Sequence, residues 1–332
     1  LAPSVNSISM SDTALKVGDT STLTIVFSEA VAGFASDDDV TCPSGSLAAM
    51  TSGDSITWAG TFTPSGATDD ATNTCTVTAN SYTDAAGNNG GAATSANYDV
   101  DTVAPTVSSI SLSDTNIIAG ETPTLTIEFS SAASGFASGD DVTCANGVVS
   151  SMTSSDSGVT WTGTFTPTAD LAADTSNTCD VGTGYTDDAG NTGSAGQSAN
   201  YNVDTEAPSV SSISFDDTAM KAGDTPTLTI VFSEAVAAFA ASDVSCQSGD
   251  IPGGLNSGDS ITWTGVFIPT EDTEDSSNVC TVATSYTDTL GNAGSGATSA
   301  NYAVETLKPT ATIAMTTSNS NSGFAKSGDT IT

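Results

Sequence analysis

The chain has 332 residues, with 39 acidic side chains against 4 lysines, no arginine and no histidine, for a formal net charge of -35. Such a field repels nucleic acid and anionic lipid surfaces and concentrates cations, and the lack of histidine excludes Ser-His-Asp and Cys-His catalysis. With 37% apolar and 13% charged residues, the chain is too apolar for acidic disorder, and no apolar run is long enough for a membrane helix.

The opening "SVNSISM" reads as a short strand, followed by "TLTIVFS" (Thr22 to Ser28), which places Leu23, Ile25 and Phe27 on one face. "DVTC" does the same with Val40 and Cys42, "SITWAGTFTP" (Ser55 to Pro64) with Ile56, Trp58 and Phe62, and "NTCTVTANSYT" with Cys75 and Val77. The tryptophan sits on an inward phase and is expected in the core. After the turn-rich "DAAGNNGG", "ANYDV" closes a unit of about seven strands with no helical periodicity. The acidic loops Asp37 to Asp39, Asp69 with Asp70, and Glu271 to Asp275 read as solvated surface.

The pattern then repeats. Pro3, Pro105, Pro208 and Pro309 lie 102, 103 and 101 residues apart, and Trp58, Trp161 and Trp263 lie 103 and 102 apart. Each period is the size of one small domain. The expected domains are 1–103, 104–206 and 207–307, with 308–332 beginning a fourth, and the fold class is all-β, with tandem immunoglobulin-like β-sandwiches in an extended array. In the fourth, Pro309 to Gly328 spans 19 residues where the earlier units span 15, so a slightly different module is expected to start there, with a strand over Thr310 to Met315. A chain opening at Leu1 and stopping inside a unit reads as a piece of something longer.

Each unit holds two cysteines, 33, 35 and 34 residues apart. A zinc site would want four ligands in close pairs. The favoured reading is one disulfide per unit, Cys42 with Cys75, Cys144 with Cys179 and Cys246 with Cys280, and hence an oxidising, extracellular setting. Buried free thiols in a reducing compartment remain the alternative.

The run "SDTALKVGDTSTLTIVFSEAVAGF", the "FTPT" at Phe165 to Thr168, "YTDDAGN" at Tyr185 to Asn191 and the joint "VDTEAP" resemble the bacterial immunoglobulin-like repeats of large adhesins, such as RTX-type and biofilm-associated surface proteins. The resemblance covers all three units. It implies a stalk that extends an adhesive tip, stiffened by calcium near the domain joints. Two departures are the cysteine pair itself and "FSSAASGF" in unit 2 where its neighbours carry "FSEAV", which sets Glu29 and Glu234 aside as essential ligands.

In such a topology "TDDAGN" of unit 2 should face the tail of unit 1, bringing Asp187, Asp188 and Asn191 toward Asp99 and Asp101. Calcium takes six to eight oxygen ligands, and this cluster could supply several. The equivalents at the next joint are Asp204, Glu206, Asp288 and Asn292. The plainer reading is that "DAAGN" is only a turn and "VDT" before "AP" only a solvated linker. The expected function is therefore an extracellular structural or adhesive stalk segment, not an enzyme. Its partners are the neighbouring repeats, with no nucleic acid and no membrane insertion. The alternative is a subunit of a filament or surface coat whose domains contact copies of the same protein.

Overall fold

A computed structural model describes residues 1–314 and Ser327. It divides into two compact units, Leu1–Thr205 and Glu206–Thr332. The first holds repeats 1 and 2, the second repeat 3.

In repeat 1 the period-two pattern of Ser21–Phe27 buries Leu23, Ile25 and Phe27, while Thr24 and Val26 between them stay half-buried on the other face. This strand is central: it pairs antiparallel with Val5–Met10 on one side and Thr57–Pro64 on the other, and Gly45–Leu47 completes the layer. The opposing layer is made of shorter pieces, Asp69–Asn73 with Tyr98–Asp101 and Val40–Thr41 with Thr76–Val77. The chain changes layers early. After Met10 it turns, and Ala14–Leu15 runs parallel to Tyr98–Asp101 in the other sheet, burying Leu15. Repeat 2 follows the same plan around Thr124–Phe129, with Asn116–Ile118 parallel to Tyr201–Asp204.

The second unit, by itself, repeats the plan around Thr227–Phe232, with Ala219–Lys221 parallel to Tyr302–Glu305. Thr310 to Ala314, where a further strand is expected, carries no strand pairing, and Met315 lies outside the described residues. The expected insertion before Gly328 also lies outside them.

The same aromatic frame fills the first two cores. Phe62 meets Tyr98 edge-on at 5.3 Å, Phe27 meets Tyr82 at 4.8 Å, and Phe34 bridges to Trp58 at 5.0 Å. Each buried ring contributes about 1.5 to 3 kcal/mol by apolar burial, and edge-to-face pairing adds to this. The tryptophans cap this frame and stay half-buried, so their indoles cover the core and do not fill it. Tyr98 donates its hydroxyl to the Pro43 carbonyl at 2.6 Å, and burial pushes its pKa up to about 12.

One disulfide lies in each repeat, Cys42–Cys75, Cys144–Cys179 and Cys246–Cys280. Cys144 and Cys179 stand opposite each other in one antiparallel ladder, as do Cys246 and Cys280, so these bonds cross-link adjacent strands of one sheet. In the Asp37 to Asp39 loop, Asp37 and Asp38 are exposed as expected, whereas Asp39 departs from the solvated state. The loop forms a single helical turn, Ser36–Asp39, in which Asp39 is buried and accepts the Ala35 N–H at 2.7 Å. An otherwise orphaned donor at the turn's start is thereby satisfied.

Candidate functional site

The joint between repeats 1 and 2 lies within the first unit, and its linker is nearly all absorbed by the domains it connects. Thr102 is tied back to repeat 1, its N–H donating to Thr68 O at 2.7 Å and its hydroxyl to Ser65 O at 2.8 Å. Pro105 belongs to repeat 2, its carbonyl accepting the Ser194 N–H at 3.2 Å. Only Val103 and Ala104 remain between these anchors. Thr205 and Thr306 repeat the first tie, donating to Thr168 O and Thr270 O at 2.6 Å each. The "VDT" motif therefore recurs because its threonine is a structural lock.

Across this short linker reaches the loop Asp187 to Asn191. Gly190, at φ 88°, makes the tight return that non-glycine residues rarely adopt. Asn191 is 2% exposed, and its backbone N–H and side-chain amide donate to the two oxygens of Asp187 at 2.8 and 2.9 Å. So oriented, the carboxamide grips repeat 1. Its oxygen accepts the Val17 N–H at 2.8 Å and its amide donates to the Asp101 carbonyl at 3.0 Å. Two backbone groups of one domain are thus read by one side chain of the next. The Lys16 ammonium lies over the loop, 3.4 Å from where a Cβ on Gly190 would stand.

Beside this clamp is an open cavity of about 320 Å³ lined by Asp69, Asp70, Asp99, Asp101 and Asp188. Expectation and structure meet in part. Asp101, Asp187 and Asn191 come together at the clamp, while Asp99 and Asp188 line the cavity wall and are exposed. Asp188 also accepts the Ser134 hydroxyl at 2.6 Å. The sequence reading left Asp69 and Asp70 as plain surface, and Val17 and Lys16 unnoticed. Thr72 N–H, then the Thr72 and Ser44 hydroxyls, hold the Asp70 carboxyl below the ordinary range.

Of the residues expected at the following joint, Asp204 is the last but one of the first unit, buried at 3% exposure. Glu206 opens the second unit and is exposed. Within the second unit Asp288 accepts the Asn292 N–H at 3.0 Å and its side-chain amide at 2.6 Å, the same internal bonding as Asp187 and Asn191. A carboxylate oxygen of Glu234 lies within 4.8 Å of one from Asp288. Glu234 was set aside on sequence, because its counterpart in repeat 2 is Ser131. Such a close pair of carboxylates could hold a cation.

Residues 1–100, 101–203 and 204–304 each match the family model described as Bacterial Ig-like domain. No curated protein matches the chain. Among solved structures it is similar to FdeC, an Escherichia coli adhesin, at 15% identity over 90% of this chain and 96% of that one, with a TM-score of 0.35. Invasin, a bacterial integrin-binding protein, is similar at 15% identity over 85% of this chain and 56% of that one, TM-score 0.32. The N-terminal part of the bacterial S-layer protein SbsC is similar at 14% identity over 61% of this chain and 44% of that one, TM-score 0.22.

Proposed function

Because the chain belongs to the bacterial Ig-like domain family, we propose that it is a stalk segment of a large bacterial surface adhesin of the RTX-type or biofilm-associated class, working outside the cell. Its repeats add reach, and its joints set direction. The observation that carries this reading is the joint itself, where a buried Asn191 bridges two backbone groups of the preceding repeat beside a cavity walled by five aspartates. A domain whose only task was to bind a ligand would have no need to fix its neighbour's backbone.

Calcium is the cation that fits. The cavity offers hard oxygen donors, which suit calcium's six to eight coordination positions, and no nitrogen or sulfur donors. Asp99, Asp101 and Asp188 supply carboxylates at the wall. Asp187 and Asn191 are already bonded to each other and hold the loop in place. Without a cation the aspartates repel one another, so the joint is expected to loosen. In repeat 3 the Glu234 and Asp288 pair offers the loop a similar charge. One disulfide per repeat keeps each bead folded outside the cell, where such bonds persist.

The test is small-angle scattering of the chain in millimolar calcium and then in excess chelator, with thermal melting in both. A rod that shortens and becomes more variable on chelation, with a falling melting temperature, supports the reading. Unchanged shape and melting would remove calcium from the joints.

A further inference from the structure

Repeat 1 carries a loop built like the one with which repeat 2 grips its neighbour. In Asp84 to Asn88, the Asn88 N–H donates to one Asp84 oxygen at 2.9 Å and its side-chain amide to the other at 2.7 Å, against 2.8 and 2.9 Å in Asp187 to Asn191. Asp84 N–H donates to Asn88 O at 3.1 Å, as Asp187 does to Asn191 O, and Gly87 makes the return at φ 83°, as Gly190 does at 88°. These bonds, the Asn88 side chain's first, also hold the Asp84 carboxyl below the ordinary range. The difference is coverage. Asn191 is 2% exposed against repeat 1, whereas Asn88 is exposed and its carboxamide oxygen has no partner among the described residues.

A carboxamide bonded to Asp84, in a loop whose backbone N–H holds the other Asp84 oxygen, has already lost much of its rotamer freedom, so docking it costs little further entropy. From this we infer that the Asp84 to Asn88 loop is a docking plug for the tail of another immunoglobulin-like repeat, with Asn88 bridging an N–H and a C=O placed like those of Val17 and Asp101. The occupant follows from the one joint in the first unit where such a loop is engaged: a repeat that presents a free turn N–H after its second strand and the carbonyl of an Asp-Thr linker. The inference extends the stalk reading but does not depend on calcium.

A copy of residues 1–102 placed ahead of Leu1 in the full chain gives the junction "VDTLAPSV", in register with "VDTVAPTV". Hydrogen exchange is read at the Val17 amide of the added repeat, in excess chelator. With Asn88 present this amide is expected to exchange roughly five- to tenfold slower than in the Asn88→Ala version of the same four-repeat chain, the protection one hydrogen bond supplies. In the three-repeat chain Asn88→Ala reads any damage to the loop alone, and its own Val17 amide, held by Asn191, should not change. Equal exchange at the added Val17 with and without Asn88 would overturn the inference. A shape that ignores calcium while the Asn88 effect persists would count against the metal and leave the plug standing.

Discussion

Removing the disulfide of repeat 2 by the double change Cys144→Ala and Cys179→Ala opens a loop of 35 residues. In the chain-entropy account a loop of that length, once released, gives the unfolded chain about 12 to 13 cal/mol/K, close to 4 kcal/mol at room temperature. The two cysteines already face each other in a hydrogen-bonded ladder whose neighbours, Val142 with Val181 and Thr143 with Asp180, are untouched. The native fold should therefore survive at low temperature, and the loss should fall mainly on the unfolded state. Cys179 is 0% exposed, so its truncation adds a small cavity cost of about 1 kcal/mol. For a domain near 100 residues this total corresponds to a fall in melting temperature of roughly 20 to 40 °C. Differential scanning calorimetry of the full chain reads it, with repeat 2 expected to separate as a transition carrying about a third of the melting enthalpy. A fall of less than about 5 °C would refute the loop-entropy reasoning.

Two further outcomes follow from contacts inside repeat 2. Gly193→Ala would set its methyl carbon 2.1 Å from the ring of Tyr185, which is 0% exposed and donates its hydroxyl to Ser194 O, so the ring cannot yield and a loss of about 3 kcal/mol by denaturant unfolding is expected. The Thr160 N–H and hydroxyl, with the Ser154 hydroxyl, bring the Asp156 carboxyl down to about 2, so its contribution to stability is complete above the unfolded value near 4 and is lost as pH falls toward 2. The melting-temperature gap between the native chain and Asp156→Asn should accordingly close over that window, and a gap constant from pH 7 to pH 2 would contradict it.

The layer of long strands was legible because burial there follows a period of two: Leu23, Ile25 and Phe27 alternate with Thr24 and Val26, and the same apolar spacing recurs at Leu125, Ile127 and Phe129. The change of layers between Met10 and Ala14 was not, since a strand of two residues has no period to read, and its parallel partner lies about 85 positions away. Asp39 was misread for a related reason, because an acidic run looks like surface until one of its members closes a helical turn. At the joint, Asp101, Asp187 and Asn191 stood out by residue type. Val17 could not, since what it contributes is a backbone N–H, which no side chain advertises. The threonine of "VDT" was visible as a repeat, yet its meaning depended on carbonyls 34 and 37 residues earlier.

Repeat 2 departs from its neighbours where charge at the joint is decided. Glu29 and Glu234 occupy one repeat position and Ser131 takes it in repeat 2, with its hydroxyl oxygen buried and unpartnered among the described residues. In repeat 3 the Glu234 carboxylate approaches within 4.8 Å of Asp288, itself 1% exposed. Two anions that close, one of them out of water, repel strongly unless a cation lies between them. Repeat 2 lacks this second carboxylate, and its loop has the Lys16 ammonium laid over Gly190. Under the proposed calcium role, chelation should disturb the Asp288 loop, where two carboxylates face each other, and loosen the aspartate-walled joint beside the Asn191 clamp.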